Sequence, residues 1–336
     1  MILHPGILAL LLGGGLVLLL MLAAVQVGLR VLLRWDPNRA DEEQLLLERR
    51  TYLVSTLVHY ALGFTILSLP LFMYTVDDMH ELFVGAMCAT GSLNANPVGW
   101  QVLIVKLLLA LLAALWAVVN HYDLQAEDFP LVKGKYLALI LLLPLVAADL
   151  YLQLRYFLGL NPEIITSCCG SLFSSSGSGV AADVSGWPPR PMMILFYAVL
   201  ATHAILLIGN LYGRRPVLLY LLAMVACLFL LVAIAAVISF ISLYIYELPT
   251  HHCPFDMLQR GSGFVGYPLY LSLAGATFCS IVPVILEFLR RVPSLSNIAV
   301  AAQKRWLWSA LLWLLLFSVL SSWPILFGRL SLRGYF

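Results

Sequence analysis

The chain has 336 residues, of which 62% are apolar and only 11% charged, and its 19 Lys and Arg nearly balance 17 Asp and Glu for a formal charge of +2. A soluble globular chain is about a quarter charged, so this one has too few charges to clothe a water-facing surface, and two stacked soluble domains are excluded. No run of Lys and Arg stands outside short clusters flanking apolar stretches, so no nucleic-acid partner is expected and the lipid bilayer is.

A bilayer core of about 30 Å is crossed by ~20 apolar residues in a helix, because lipid offers the backbone no hydrogen-bond partner. Eight stretches qualify, at 6–30, 51–75, 101–120, 136–158, 191–212, 217–246, 267–289 and 306–327. The predicted fold is all-α: a polytopic transmembrane helix bundle forming one integral membrane domain over 1–336. The first stretch has no Lys or Arg ahead of it, and Arg30 and Arg34 follow it, so it reads as a retained span rather than a secretory leader. The sixth is long enough to tilt or project.

Lys and Arg are held preferentially in cytoplasmic loops. Arg30, Arg34, Arg39, Arg49 and Arg50 follow span one; Lys133 and Lys135 follow span three; Arg214 and Arg215 follow span five; Arg290, Arg291, Lys304 and Arg305 follow span seven. These connections are expected inside, as ordinary charged turns. The alternate connections, 76–100, 159–190 and 247–266, are longer, richer in Gly, Ser, Pro and Asn, and poor in basic residues. They are expected to face outward and fold into a cap, with both termini outside, in a plasma or bacterial inner membrane. Trp100, Trp187 and Tyr267 border the outer face and Trp35, Trp306 and Trp308 the inner one, as interfacial aromatics do.

Four of the six cysteines fall in the outer loops: Cys88 in Met87-Cys88-Ala89-Thr90-Gly91, the pair Cys168-Cys169, and Cys253 in His251-His252-Cys253-Pro254-Phe255-Asp256. The same loops add His80, and they or the adjoining helix ends carry Met73, Met79, Met87, Met192, Met193 and Met257, six of the nine methionines. Topology was drawn from Lys and Arg alone, so the gathering of thiol, thioether and imidazole on one face is an independent observation.

Three chemistries compete for these residues. Cys and Met suit Cu(I), and Cys with His suits Zn(II), so Cys88, Cys168, Cys169, His251, His252, Cys253, His80 and Met87 form a candidate soft-metal site. Copper would serve uptake, delivery or sensing with a soluble outer-compartment metal carrier, and the acidic Asp77, Asp78 and Glu81 would concentrate cations beside it. No C-x-x-C zinc pattern is present. Alternatively the four thiols are redox pairs of a thiol-disulfide oxidoreductase, exchanging disulfides with a soluble thiol protein and passing electrons to a membrane quinone. Cys253-Pro254-Phe255-Asp256 has a thioredoxin-type C-P-x-x frame, with Asp256 where the resolving cysteine would stand. Third, the cysteines are structural, tying loops together as disulfides or packing as small apolar groups. Whether the chain is an enzyme stays open among these readings.

Ionisable groups inside spans are costly and therefore functional candidates. Lys106 is expected to snorkel or to pair with Asp149, both structural roles, with balancing a thiolate cluster as the alternative, and Glu287 to pair with Arg290 or Arg291. His59 and His203 fall at similar depth in spans two and five, where two facing imidazoles would hold a b-type haem. Membrane histidines also hydrogen-bond across helices. The Ser-rich tract from Ser171 to Gly179 is flexible-loop composition, and no phosphate-binding or serine-nucleophile motif is present.

Overall fold

The computed structural model describes residues 3–36, 41–126, 128–161, 166, 184–213 and 215–330. Among them the chain is all-helical with no β-strand. The helices are α1 (Pro5–Arg34), α2 (Glu42–Asp78), the short α3 (Ala89–Asn94), α4 (Gly99–Asp123), α5 (Val132–Leu158), α6 (Pro189–Tyr212), α7 (Pro216–Tyr246), α8 (Gly266–Leu289) and α9 (Ser296–Phe327). All but α3 are long and apolar enough to cross a membrane, which makes the chain an integral membrane protein with eight candidate spans.

Six spans start within about a turn of where hydropathy placed them, but α2 and α9 begin some ten residues early. The Asp36–Arg50 segment, expected as a turn, is mostly helix from Glu42 onward. Asp41 caps it, its carboxylate accepting the Gln44 amide at 3.2 Å, and Glu42 and Glu43 suit the positive end of the helix dipole. Hydropathy marks where the lipid ends; nothing in the charge of this segment ends the helix.

The chain divides into two compact units. The first comprises residues 1–84 and 92–164 with a short piece at 292–295. In it α1 packs on α2 and α5, and α4 also packs on α2 and α5, closing a four-helix ring. Met21, Val58, Leu62, Trp116, Tyr136 and Leu139 are buried in its core. A Cβ at Gly13 of α1 would lie 2.1 Å from the Phe64 ring of α2, so the missing side chain sets how closely these helices approach.

The second unit comprises 85–91, 165–291 and 296–336. Here α6 packs on α7, α7 on α8, α8 on α9 and α9 on α6, again a ring. Its centre is aromatic: Phe196 lies 6.4, 5.8 and 6.1 Å by ring centroid from Phe229, Phe240 and Phe317. Cys279 packs in the same core. At Gly275 of α8 an added Cβ would stand 2.7 Å from the Trp313 indole of α9. Gly275→Ala is therefore expected to destabilise the protein by about 1–3 kcal/mol through overpacking, read as a lower midpoint in detergent unfolding. An unchanged midpoint would mean that the indole yields freely.

Two ionisable residues within the spans pair as follows. Lys106 Nζ lies 3.2 Å from Asp149 Oδ2, the pairing anticipated from sequence. Glu287 meets Arg290 at 3.6 Å and also accepts from Gln303 Nε2 at 3.0 Å.

Candidate functional site

The site is assembled at the end of α7. Between Val237 and Ile241 the helix widens into a π turn, and the Ile238 carbonyl receives His252 Nδ1 at 2.9 Å. Such single-turn bulges free backbone groups for outside partners. Beyond Tyr246 the chain turns at Glu247, which takes the left-handed conformation with φ 55°, and enters His251-His252-Cys253-Pro254.

Two phenols hold that segment from the helices. Tyr246 of α7 donates to the Cys253 carbonyl at 2.7 Å, and Tyr270 of α8 donates to the Pro254 carbonyl at 2.5 Å. Opposite lies the segment Gly85–Gly91, which belongs to the same unit. Gln259 Nε2 donates to the Met87 carbonyl at 2.7 Å, clasping the two segments together. Cys88 and Cys253, 165 positions apart in sequence, thereby come to 3.5 Å between sulfurs.

Both cysteines are fully buried. The Cys253 thiol donates to Asp256 Oδ1 at 3.4 Å, while its sulfur accepts the Phe255 amide at 3.4 Å and lies 3.9 Å from Thr90 Oγ1. Cys88 Sγ, Cys253 Sγ and an Asp256 carboxylate oxygen all lie within 4.8 Å of one another. His251 Nε2 stands 2.5 Å from Asp256 Oδ2, with its ring edge-on to Tyr246 at 4.8 Å. Three groups that can each become anions are thus packed together, two of them fully buried and Asp256 partly so. Such a cluster must share protons or hold a cation, because bare buried charges of one sign are prohibitively costly.

The electrostatics follow from this crowding. Burial raises the Asp256 carboxyl above its ordinary range, with the His251 hydrogen bond opposing and Cys88 adding to the rise. The hydrogen bond to Asp256 raises His251 above 6.5 against the opposing effect of burial. His252 is held below 6.5 by burial, against the hydrogen bond to the Ile238 carbonyl.

A raised histidine contributes its pairing energy fully below its unfolded value and loses it as pH climbs through the folded value. A raised carboxyl acts in the same sense, since over its window the folded state holds a proton that the unfolded state has released. Stability is therefore expected to fall as pH rises, over the Asp256 window above 3.8 and then the His251 window above 6.5, and His251→Asn to flatten the upper part of that slope. Thermal midpoints of wild type and variant across pH check this; parallel curves would remove His251 as the origin.

Of the sequence-predicted ligands, the structure brings Cys88 and Cys253 together, with His251 reaching the cluster through Asp256. His252 is turned to the Ile238 carbonyl and is not among the clustered donors. Met87 exposes its side chain and contributes its carbonyl to the clasp. His80 belongs to the first unit, its Nδ1 against the Asp77 carbonyl. Cys168 and Cys169 lie outside the described residues. Asp256 was read only as the residue replacing a resolving cysteine; its spacing three after Cys253 was the signal that it would face the same sulfur.

The proposed haem histidines are held differently from each other. His203 of α6 is fully buried, with Nε2 2.9 Å from Ser280 Oγ and its ring 5.1 Å from that of Phe229. His59 of α2 is half-buried in the first unit and edge-on to Tyr60. Neither a family model, a curated protein nor a solved structure matches this chain.

Proposed function

We propose that the Cys88/Cys253/Asp256 cluster binds a soft metal, copper(I) in preference to zinc, at the outer face of the membrane, for uptake, delivery or sensing. The observation that carries this reading is the meeting of two buried sulfurs and a carboxylate oxygen within 4.8 Å. Two thiolates suit Cu(I), whereas a carboxylate joining them as ligand would favour zinc. Ligand thiols must lose their protons when metal binds. Asp256, already accepting from Cys253, is placed to take one, and His251 can hold it. Cys168 and Cys169 would complete the ligand set, and the outer loops would form the cap through which a soluble carrier delivers or removes the ion. The distribution of Lys and Arg supports both termini outside in a plasma or bacterial inner membrane.

The second reading is favoured by the sulfur-to-sulfur contact of 3.5 Å. Here Cys88 and Cys253 close to a disulfide, releasing two electrons and two protons that reduce a membrane quinone to its quinol, and a soluble thiol protein reduces the pair again. A b-type haem at His59 and His203 is a separable addition to this reading.

Elemental analysis of the purified full-length protein, with thiol titration before and after reductant and a visible spectrum, separates the readings. Near-stoichiometric copper or zinc that disappears in Cys88→Ser supports the first. Metal-free protein whose thiols are reversibly oxidised by a quinone overturns it in favour of the second, and haem absorbance would report the third component.

A further inference from the structure

The first unit holds a buried polar cluster that the cysteine site does not use. Asp149 lies nine residues before the end of α5, roughly 13 Å along the helix, and Lys106 lies seven residues into α4, about 10 Å. Both are therefore within the apolar part of their spans. Lys106 Nζ donates to Asp149 Oδ2 at 3.2 Å and to Ser68 Oγ of α2 at 3.1 Å, and it lies 5.7 Å from the centre of the Phe72 ring. Gln153, one turn beyond Asp149, donates Nε2 to the same Oδ2 at 2.7 Å.

The other two acceptor oxygens of this cluster are the informative ones. Asp149 Oδ1 and Gln153 Oε1 are both buried, and no donor reaches either among the described residues. An inert ion pair in a membrane is normally surrounded by enough donors to satisfy both carboxylate oxygens, since each unmet acceptor costs about 1–3 kcal/mol. Here all the donors crowd onto one oxygen. Beside the cluster a crevice with a cavity volume of about 10 Å³ opens between α1, α2, α4 and α5, lined by Gly14, Thr65, Ser68, Lys106, Asp149 and Gln153 among others. That is about what one ordered water needs and far below the roughly 300–1,000 Å³ of an organic ligand site. Its ligand is therefore a water or a proton, and a quinone ring does not fit. Of the groups lining it, Lys106 is the one charged partner facing Asp149; α1 contributes only apolar side chains and Gly14, and α2 adds hydroxyls and apolar groups.

We propose that Lys106, Asp149 and Gln153, with one water in this crevice, form an exchangeable proton-binding site inside the membrane-spanning part of the first unit. Lys106 Nζ gives a proton to the crevice water as that water gives one to Asp149 Oδ1, so that the pair passes from ammonium and carboxylate to amine and carboxylic acid with its net charge unchanged and the water intact. Transfer from Asp149 back to Lys106 restores the starting state, and the proton of the site has been exchanged with that of the water. No electron moves and no bond other than O–H and N–H is made or broken. Keeping the pair neutral at each stage avoids the cost of an isolated charge in hydrocarbon. The proton on Oδ1 turns one unmet acceptor into a donor, and the water supplies Gln153 Oε1. This proposal is independent of the metal and thiol readings, which concern the other unit.

Infrared spectra of the full-length protein in liposomes, compared between water and heavy water at several pH values from about 4 to 9, test it. The expected result is a carboxylic-acid carbonyl band that moves to lower frequency in heavy water, shifts when the protein carries isotopically labelled aspartate, and is lost in Asp149→Asn. Gln153→Leu, which leaves both charged partners in place, is expected to shift the band's frequency by removing the amide that donates to the neighbouring oxygen. Wild-type protein with no such band anywhere in that range carries a static ion pair, and the proposal fails. A band that stays unchanged in Gln153→Leu, or that does not exchange in heavy water, overturns it equally, even if Asp149→Asn does not fold.

Discussion

Replacing Lys135 by methionine is expected to lower the stability of the folded protein by about 3–5 kcal/mol, the cost of stranding a buried charge. Lys135 Nζ lies 2.7 Å from Asp123 Oδ2, with side-chain exposures of 1% and 0%, so water cannot replace the lost ammonium. The pair is also the centre of a network. Lys135 donates to Asn120 Oδ1 at 3.1 Å, Ser55 of α2 donates to the same oxygen at 2.5 Å, and Asp123 Oδ1 accepts the Leu131 amide at 2.8 Å. One cluster thereby joins α2, α4 and the start of α5. Methionine keeps the volume of the stem and removes only the charge, which isolates the electrostatic part of the loss. Adding Asp123→Leu to Lys135→Met should recover part of the stability, because the desolvated carboxylate leaves with its partner. Unfolding of detergent-purified protein measures both. A single variant within about 1 kcal/mol of wild type, the level of an exposed pair, would show that water reaches the pair.

Lys135 also marks where reading the sequence runs short. In the sequence it counts only toward an expected orientation, and nothing in Leu131-Val132-Lys133-Gly134-Lys135 distinguishes a solvated lysine from a buried one. Helix α5 begins at Val132, which places Lys133 and Lys135 on different faces, so that only Lys135 is buried. Which face turns inward depends on α4 supplying Asp123, a tertiary fact. The eight apolar stretches were legible because the length of a span is dictated by lipid thickness rather than by neighbours. The early starts of α2 and α9 were not, because helix continues into water wherever caps and propensity allow.

The same division runs through the candidate site. That thiols and histidines collect in particular loops is visible in the residue order. That Cys88 and Cys253 touch, whereas His252 turns to Ile238, depends on a π turn and on two tyrosines reaching from α7 and α8 to backbone carbonyls. Periodicity does not report a bulge of that kind, since Val237–Ile241 reads as ordinary apolar helix. Nor does sequence spacing separate Asp149 and Lys106 as a tight salt bridge from a carboxylate with one oxygen satisfied and one not; only the positions of Ser68 and Gln153 make that distinction.

If the cysteine cluster holds a metal, Cys253→Ser and Asp256→Asn should weaken it to different extents. Serine removes a thiolate from the ion itself, and the loss of affinity should exceed the ~10–100-fold that follows removal of a hydrogen-bond partner outside the ligand set. Asparagine at 256 retains an oxygen near Cys253 but cannot accept a net proton, so its loss should stay within that ~10–100-fold range and grow toward acid pH, where the thiols compete for protons. His252→Ala, whose ring is already engaged by the Ile238 carbonyl, should bind nearly as wild type does. Competition against a chromophoric chelator for copper(I), repeated across pH on the reduced protein, measures all three. Equal losses in Asp256→Asn and Cys253→Ser would place the carboxylate on the ion and shift the preference toward zinc. Unchanged binding in Cys253→Ser would show that the Cys88/Cys253/Asp256 cluster is not where the metal binds, and would remove the reading built on it.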